Sequence, residues 1–97
     1  MHARVTTVSV QPDKVAETTR VYNESILPAI KAAAGNRGAL LLIDPASGKG
    51  LSITLWDSEA AGQAYDTSGT YREQVAKVAP FFSGPPSLET YEVGAQG

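Results

Sequence analysis

The chain has no cysteine, one histidine, one tryptophan and one methionine among its 97 residues. Without cysteine, neither a disulfide nor a thiolate metal site can stabilise it. The lone His2 stands at the start of the chain, so a histidine-rich metal centre and the usual nucleophile-plus-histidine pairings are excluded too. Charge is sparse and balanced, with 8 Lys and Arg against 10 Asp and Glu and a formal net charge of −2. The basic residues are scattered, which gives no electrostatic reason to bind nucleic acid. No apolar run approaches the ~18 residues that a membrane span needs, and no signal-peptide core opens the sequence. Gly35-Asn36-Arg37-Gly38 and Gly48-Lys49-Gly50 lack the Walker spacing, and no Asp, Glu or His cluster has metal spacing. The expectation is a cytoplasmic soluble protein with no metal, no nucleic acid and no membrane among its partners.

A single domain, residues 1–97, fits this length. So short a chain buries only roughly 60–65 % of its unfolded surface, and a second subunit is then a common source of added stability. What the chain does have is a hairpin over Arg37–Asp57. Ala39–Ile43 is unbroken apolar sequence, and Leu51–Trp56 alternates apolar with small polar residues. Between them Asp44-Pro45-Ala46-Ser47-Gly48-Lys49-Gly50 concentrates turn-forming residue types.

Alternation along the strands puts Leu51, Ile53 and Leu55 on one face, with Ser52, Thr54 and Trp56 on the other. Leu40 and Leu42 oppose Leu41 and Ile43, so both faces of this hairpin are apolar and both need a cover. Before the hairpin, Ala3–Val10 reads as a strand, with Arg4, Thr6, Val8 and Val10 on one face and Ala3, Val5, Thr7 and Ser9 on the other. Asp13 to about Ala34 reads as a helix with the stripe Val15, Thr19, Tyr22, Ile26, Ala29, Ile30 and Ala33. Pro28 should kink it or end its regular part, and Gly35-Asn36 should stop it.

After the hairpin, Asp57 or Ser58 can cap a helix carrying Ala60, Ala61, Ala64 and Tyr65. A break is expected at Thr67-Ser68-Gly69, then a resumed helix with Tyr71, Val75, Val78 and Ala79, ended by Pro80. Ser87–Val93 reads as the last strand. The β-α-β-β-α-β order predicts an α+β, ferredoxin-like, four-stranded antiparallel sheet with its helices on one face. The opposite face would stay apolar and exposed in a monomer, so a homodimer through the sheet face is expected.

With the order of elements, the GALLLID strand, the SGKG turn and above all LSITLWDSEAA, the chain resembles the antibiotic-biosynthesis-monooxygenase-like domain of the dimeric α+β barrel proteins. The resemblance covers almost the whole chain. It implies a cavity between sheet and helices with Trp56 on its wall and Ser52 and Thr54 beside the indole, although alternation alone leaves open which face carries Trp56. Family members include cofactor-free oxygenases of aromatic compounds and haem-degrading enzymes. The haem-degrading branch pairs an Asn on the first strand, a Trp like Trp56 and a His on the second helix. Here Thr7 stands at the Asn position and Tyr65 at the His position, so haem chemistry is disfavoured and no cofactor is expected.

Cofactor-free oxygenation needs an electron-rich aromatic held away from water, a base, and donors for developing charge. Arg4, Tyr22, Asn23, Tyr65 and Tyr71 are the polar candidates, beside Ser52, Thr54, Trp56 and Thr7 in the wall. Each has a plainer role open to it: Trp56 and Tyr22 as core, Asn23 as a solvated residue, and Arg4 as the partner of a carboxylate such as Glu92 or Asp57. The function expected is a monooxygenase-like protein acting on a small aromatic or apolar molecule. The alternative is a non-catalytic ligand-binding or stress-associated homodimer, and the lack of a histidine base favours the latter.

Overall fold

A computed structural model describes residues 1–97 and gives strands β1 (His2–Ser9), β2 (Asn36–Ile43), β3 (Lys49–Trp56) and β4 (Ser87–Glu92). They form one antiparallel sheet in the order β2-β3-β1-β4. Helix α1 runs as Val15–Val21, a π-helical turn Tyr22–Ile26, and Leu27–Lys31. Helices α2 (Glu59–Asp66) and α3 (Gly69–Val78) follow the hairpin. This is the ferredoxin-like arrangement, with the helices on one face of the sheet.

The break in helix α1 is resolved without ending the helix. Pro28 has no N–H to give the carbonyl of Glu24. The turn before it widens, and Leu27 donates to the carbonyl of Tyr22, five residues back. The buried stripe differs from the expected one by a residue in the first, regular part of the helix. Thr18, Tyr22, Ile26 and Ile30 are buried at four-residue spacing, and Thr18 takes the place expected of Thr19. The Thr18 hydroxyl is satisfied by donating to the carbonyl of Lys14 at 2.8 Å. Gly35, at φ 83°, ends the segment as its sequence suggests.

Register settles which residues share a face. Arg4 pairs with Thr54 and Thr90, Thr6 with Ser52 and Leu88, and Leu41 with Ser52. Arg4, Thr6, Leu41, Ser52, Thr54 and Trp56 lie under the helices, where Tyr22, Ile26, Ile30, Trp56 and Val78 form the larger apolar cluster, while Leu88 and Thr90 on the edge strand stay exposed. A second cluster of Val8, Val10 and Val15 is closed by Phe81 and Phe82 from the loop before β4. Bonds from Gln11 N to Phe81 O and from Ser83 N to Ser9 O lash that loop to the end of β1. The opposite face carries Val5, Leu51, Ile53 and Leu55. It leaves Leu40 and Leu42 exposed at 41 % and 47 %, and Tyr91 at 50 %.

The hairpin turn is built by its side chains. The Asp44 carboxylate accepts from Ala46 N and from the Ser47 hydroxyl, and these bonds hold it below the usual carboxylate range. Gly48 sits at φ 79°, and its carbonyl accepts from Val10 N, so the turn folds back onto the end of β1. A Cβ on Gly48 would lie 1.8 Å from the Val10 carbonyl oxygen. Gly48→Ala therefore meets both a left-handed backbone and a backbone clash, and should cost on the order of 2 kcal/mol or more. Urea denaturation should show the lowered midpoint, whereas Ser47→Ala should cost well under half as much.

Candidate functional site

Between the sheet and the helices lies a cavity of about 110 Å³. Its floor is the small-residue patch of the sheet, Thr6, Ser52 and Thr54, and its walls are Trp56, Tyr22, Ile26, Tyr65, Tyr71, Val75 and Val78. The space arises from strand composition. Three adjacent helix-facing positions carry hydroxyl side chains where a filled core would carry branched aliphatics. The half-buried Asp66 and Tyr71 and the exposed Pro86 mark its open side.

Trp56 is 1 % exposed at the end of β3, and its indole N–H donates to Thr54 Oγ1 at 2.9 Å, two residues earlier on the same face. Its ring centroid lies 5.4 Å from that of Tyr65, and Tyr65 in turn meets Tyr71 edge-on at 5.8 Å. The two tyrosines flank the expected helix break. Ser68 caps helix α3 by accepting from Tyr71 N, and its hydroxyl donates back to the Tyr65 carbonyl. The break thus becomes a fixed corner that turns both rings toward one space. On the other wall, the Tyr22 phenol and Ser52 Oγ share a 2.6 Å hydrogen bond.

Arg4 is the charged member of the sheet floor, with its side chain only 9 % exposed. Its Nη2 donates to Asp66 Oδ2 at 2.7 Å. The sequence suggested Glu92 or Asp57 as its partner, but Asp57 is taken by Arg37 and the end of helix α2 brings Asp66 over Arg4. Helix α2 can come this close because of Gly62. A Cβ there would lie 2.8 Å from Arg4 Cδ and 3.2 Å from Trp56 Cδ1. Gly62 and Asp66 were not among the residues singled out from sequence, and the alanines expected to line helix α2 are divided. Ala61 is half-buried, while Ala60 and Ala64 are exposed.

Two candidates do not reach the cavity. Thr7 pairs with Leu51 and Ser87 on the opposite face, where strand alternation puts it. Asn23 is exposed on the outer side of helix α1, and its amide donates to the Thr19 carbonyl. Arg4, Tyr22, Ser52, Thr54, Trp56, Tyr65 and Tyr71 do converge. Haem does not fit here. Thr7 faces away, and a cavity of about 110 Å³ is far too small for a tetrapyrrole.

The sequence pattern of the antibiotic biosynthesis monooxygenase family matches residues 1–77. The chain belongs to that family. Among solved structures, a Nitrosomonas europaea protein provisionally named an antibiotic biosynthesis monooxygenase superposes with a TM-score of 0.82 at 17 % identity, over 98 % of this chain and 100 % of that one. A similarly named protein from Caulobacter crescentus gives 0.82 at 21 % identity, over 97 % and 90 %. Rv0793 of Mycobacterium tuberculosis gives 0.77 at 18 %, over 98 % and 96 %. At these identities the likeness is one of fold. The uncharacterized protein Rv2557 of M. tuberculosis is 28 % identical over 98 % of this chain, and the chain spans 42 % of that protein's length.

The phenols of this family member hold their protons tightly. Burial pushes the Tyr22 hydroxyl above its ordinary 10.0, against the opposing pull of the Ser52 bond. Burial also raises Tyr65, helped by the neighbouring Tyr22 and Tyr71, and it raises Tyr71, helped by the Asp66 charge and opposed by Arg4. Near neutral pH these three hydroxyls are donors rather than bases. A folded-state value above the unfolded one means that the unfolded chain binds fewer protons once pH passes 10. Stability should therefore be level below pH 10 on this account and fall as pH rises beyond it. In Tyr22→Phe the fall should be shallower, and the loss near pH 7 about 1–2 kcal/mol from the Ser52 hydroxyl left unpaired. Chemical denaturation between pH 7 and 11 measures both.

Proposed function

We propose that this protein is a cofactor-independent, monooxygenase-like oxidoreductase that takes a small aromatic molecule into the cavity between sheet and helices. The observation that carries the reading is the aromatic wall of Trp56, Tyr65 and Tyr71 over a floor of small hydroxyl side chains, with the Arg4–Asp66 pair beside its open side. Such a space strips water from one small ring and offers donors to charge that develops on it. An apolar void of roughly 150 Å³ admits benzene. A cavity of about 110 Å³ with an open side therefore suits one ring whose substituents reach toward Asp66 and Tyr71.

The reaction that fits is oxidation of an electron-rich phenol or hydroquinone by dioxygen. The hydroxyl proton leaves first, and Asp66 is the carboxylate in reach. The ring anion gives one electron to O₂, the radical pair joins through a new C–O bond, and the hydroperoxide loses water to leave a quinone. One oxygen atom enters the product and the other leaves as water, with all four electrons coming from the substrate. Arg4 and the protonated phenols stabilise the anion and the reduced oxygen.

A second reading, a ligand-binding protein with no chemistry, draws on one specific feature. Tyr22, Ser52 and Thr54 are already bonded to one another or to the indole, and Asp66 is already bonded to Arg4. An oxygen electrode separates the two. With a panel of hydroquinones and naphthols, the enzyme reading expects oxygen uptake matched by quinone formation in metal-free buffer. Saturable quenching of Trp56 emission with no uptake would instead establish a binding protein.

Two copies of the chain pack with their open sheet faces together. The support is the apolar surface on which Leu40, Leu42 and Tyr91 are exposed beside the half-exposed Leu51 and Ile53, the kind of contiguous patch that marks an interaction face. Such a face is self-complementary about a twofold axis. Sedimentation should give a dimer at micromolar concentration. Leu42→Asp, which places a charge on that face and leaves the cavity untouched, should shift the chain to monomer.

A further inference from the structure

Arg4 holds more hydrogen-bonding capacity than its surroundings use. A guanidinium brings five N–H donors. Here one nitrogen, Nη2, is bonded, to Asp66, while the side chain is nine-tenths buried and lines the cavity. No other carboxylate lines that space, and several of the neighbouring polar side chains are already bonded elsewhere. Thr54 accepts from the indole, Ser52 is bonded to Tyr22, and Gln74 accepts from Ser25. The remaining guanidinium nitrogens carry no protein partner and keep contact with the open side of the cavity, so their hydrogens are free for a ligand's acceptors. Its partner Asp66 is 33 % exposed and sits at the last residue of helix α2, just before the Ser68 corner, where it can swing toward water.

We infer that Arg4 is the recognition element for an anionic oxygen group on the ligand, so that the cavity takes a small aromatic or conjugated acid in preference to a neutral arene. The fork of the guanidinium matches the two oxygens of a carboxylate. The ring of such a ligand lies against Trp56 and Tyr65. Its acidic group displaces the Asp66 carboxylate from Nη2 or shares the guanidinium with it. Asp66 then acts as an internal competitor that keeps Arg4 paired while the site is empty. A neutral ligand gains less at this end of the cavity, because its oxygen brings no charge to the guanidinium. The inference rests on the cavity being the ligand site proposed above, but not on any oxidation taking place there.

The test is binding without turnover, with benzoate and 2,5-dihydroxybenzoate against their neutral counterparts benzamide and hydroquinone, followed by calorimetry and by Trp56 emission. In the unaltered protein each acid should bind at least about tenfold tighter than its neutral counterpart, the difference expected of one charge-assisted pair. Arg4→Gln should erase that preference. Asp66→Asn should strengthen acid binding several-fold and widen the preference over the neutral compounds, because it removes the competitor. A merely structural ion pair predicts the opposite, since losing Asp66 would loosen Arg4 and weaken every ligand alike. Asp66→Asn leaves Arg4 in place and decides the matter if Arg4→Gln does not fold. Equal affinity for acid and neutral ligands, no saturable binding by either, or weaker acid binding in Asp66→Asn would each overturn the inference. Acid-selective binding without oxygen uptake would leave it standing while ending the oxygenase reading.

Discussion

The burial of one indole organises this molecule. Trp56 is the last residue of β3 and almost wholly enclosed, and its N–H is bonded to Thr54 on its own strand. An indole buried without that bond would leave a donor unpaired in the core. The residue two positions back therefore has to carry an acceptor and cannot be aliphatic. That requirement thins the floor of the sheet beside the ring. With Ser52 and Thr6 next to it on the same face, the sheet presents a polar, low-volume patch that helices α1 and α3 bridge without filling. The cavity is thus a consequence of how the core is satisfied as well as a place where a ligand can sit.

The same indole sets the height of helix α2. Gly62 rests on its five-membered ring and on the Arg4 stem, and any larger side chain would lift the helix. Lifting it would carry Asp66 away from Arg4 and Tyr65 away from Trp56. The Ser58 cap, the Gly62 contact and the Ser68 corner therefore act together, each fixing one point of a short helix whose own length gives it little independent stability. On the facing wall, the wide turn that accommodates Pro28 begins at Tyr22, the residue whose phenol meets Ser52. Both helical walls are irregular beside the cavity, and a serine or a proline accounts for each irregularity.

Local chemistry made much of this legible before any coordinates. The hairpin followed from Asp44, Ser47 and Gly48, which bond or bend within their own turn. The face holding Ser52, Thr54 and Trp56 followed from alternation, and the corner at Ser68-Gly69 from poor helix formers. What was not legible depended on distance or on spacing that fits two residues alike. The partner of Arg4 lies 62 residues away, and nothing local distinguishes Asp66 from Asp57 or Glu92. The burial of Thr18 rather than Thr19 was not legible because both stand at helical spacing from Tyr22, four and three residues before it. Gly62 reads in sequence as a weak point in a helix, whereas in space it is the point of closest approach. Thr7 is the instructive case. Strand alternation placed it opposite Arg4, the family resemblance drew it into the pocket, and alternation was the better guide.

The polarity of the finished wall constrains its guest more than its shape does. The Tyr65 and Tyr71 phenols, which burial keeps protonated, and a guanidinium with unused N–H groups are the donors free to meet a guest, while Tyr22, Ser52 and Thr54 are already engaged. Donors in a space of low polarity attract electron-rich oxygen far more strongly than they would in water. A guest bearing negative charge, whether it enters with it or acquires it by losing a proton, is stabilised over its neutral form. Electron transfer to dioxygen becomes easier as charge accumulates on a ring, but it becomes harder as each donor holds that charge in place. The wall can therefore favour an anion strongly enough to bind it and still slow its oxidation. The balance turns on whether the guest's charge sits on a remote acidic group against Arg4, leaving the ring itself electron-rich beside Trp56 and Tyr65. A ligand that separates its acid from its oxidisable ring would meet both demands at once.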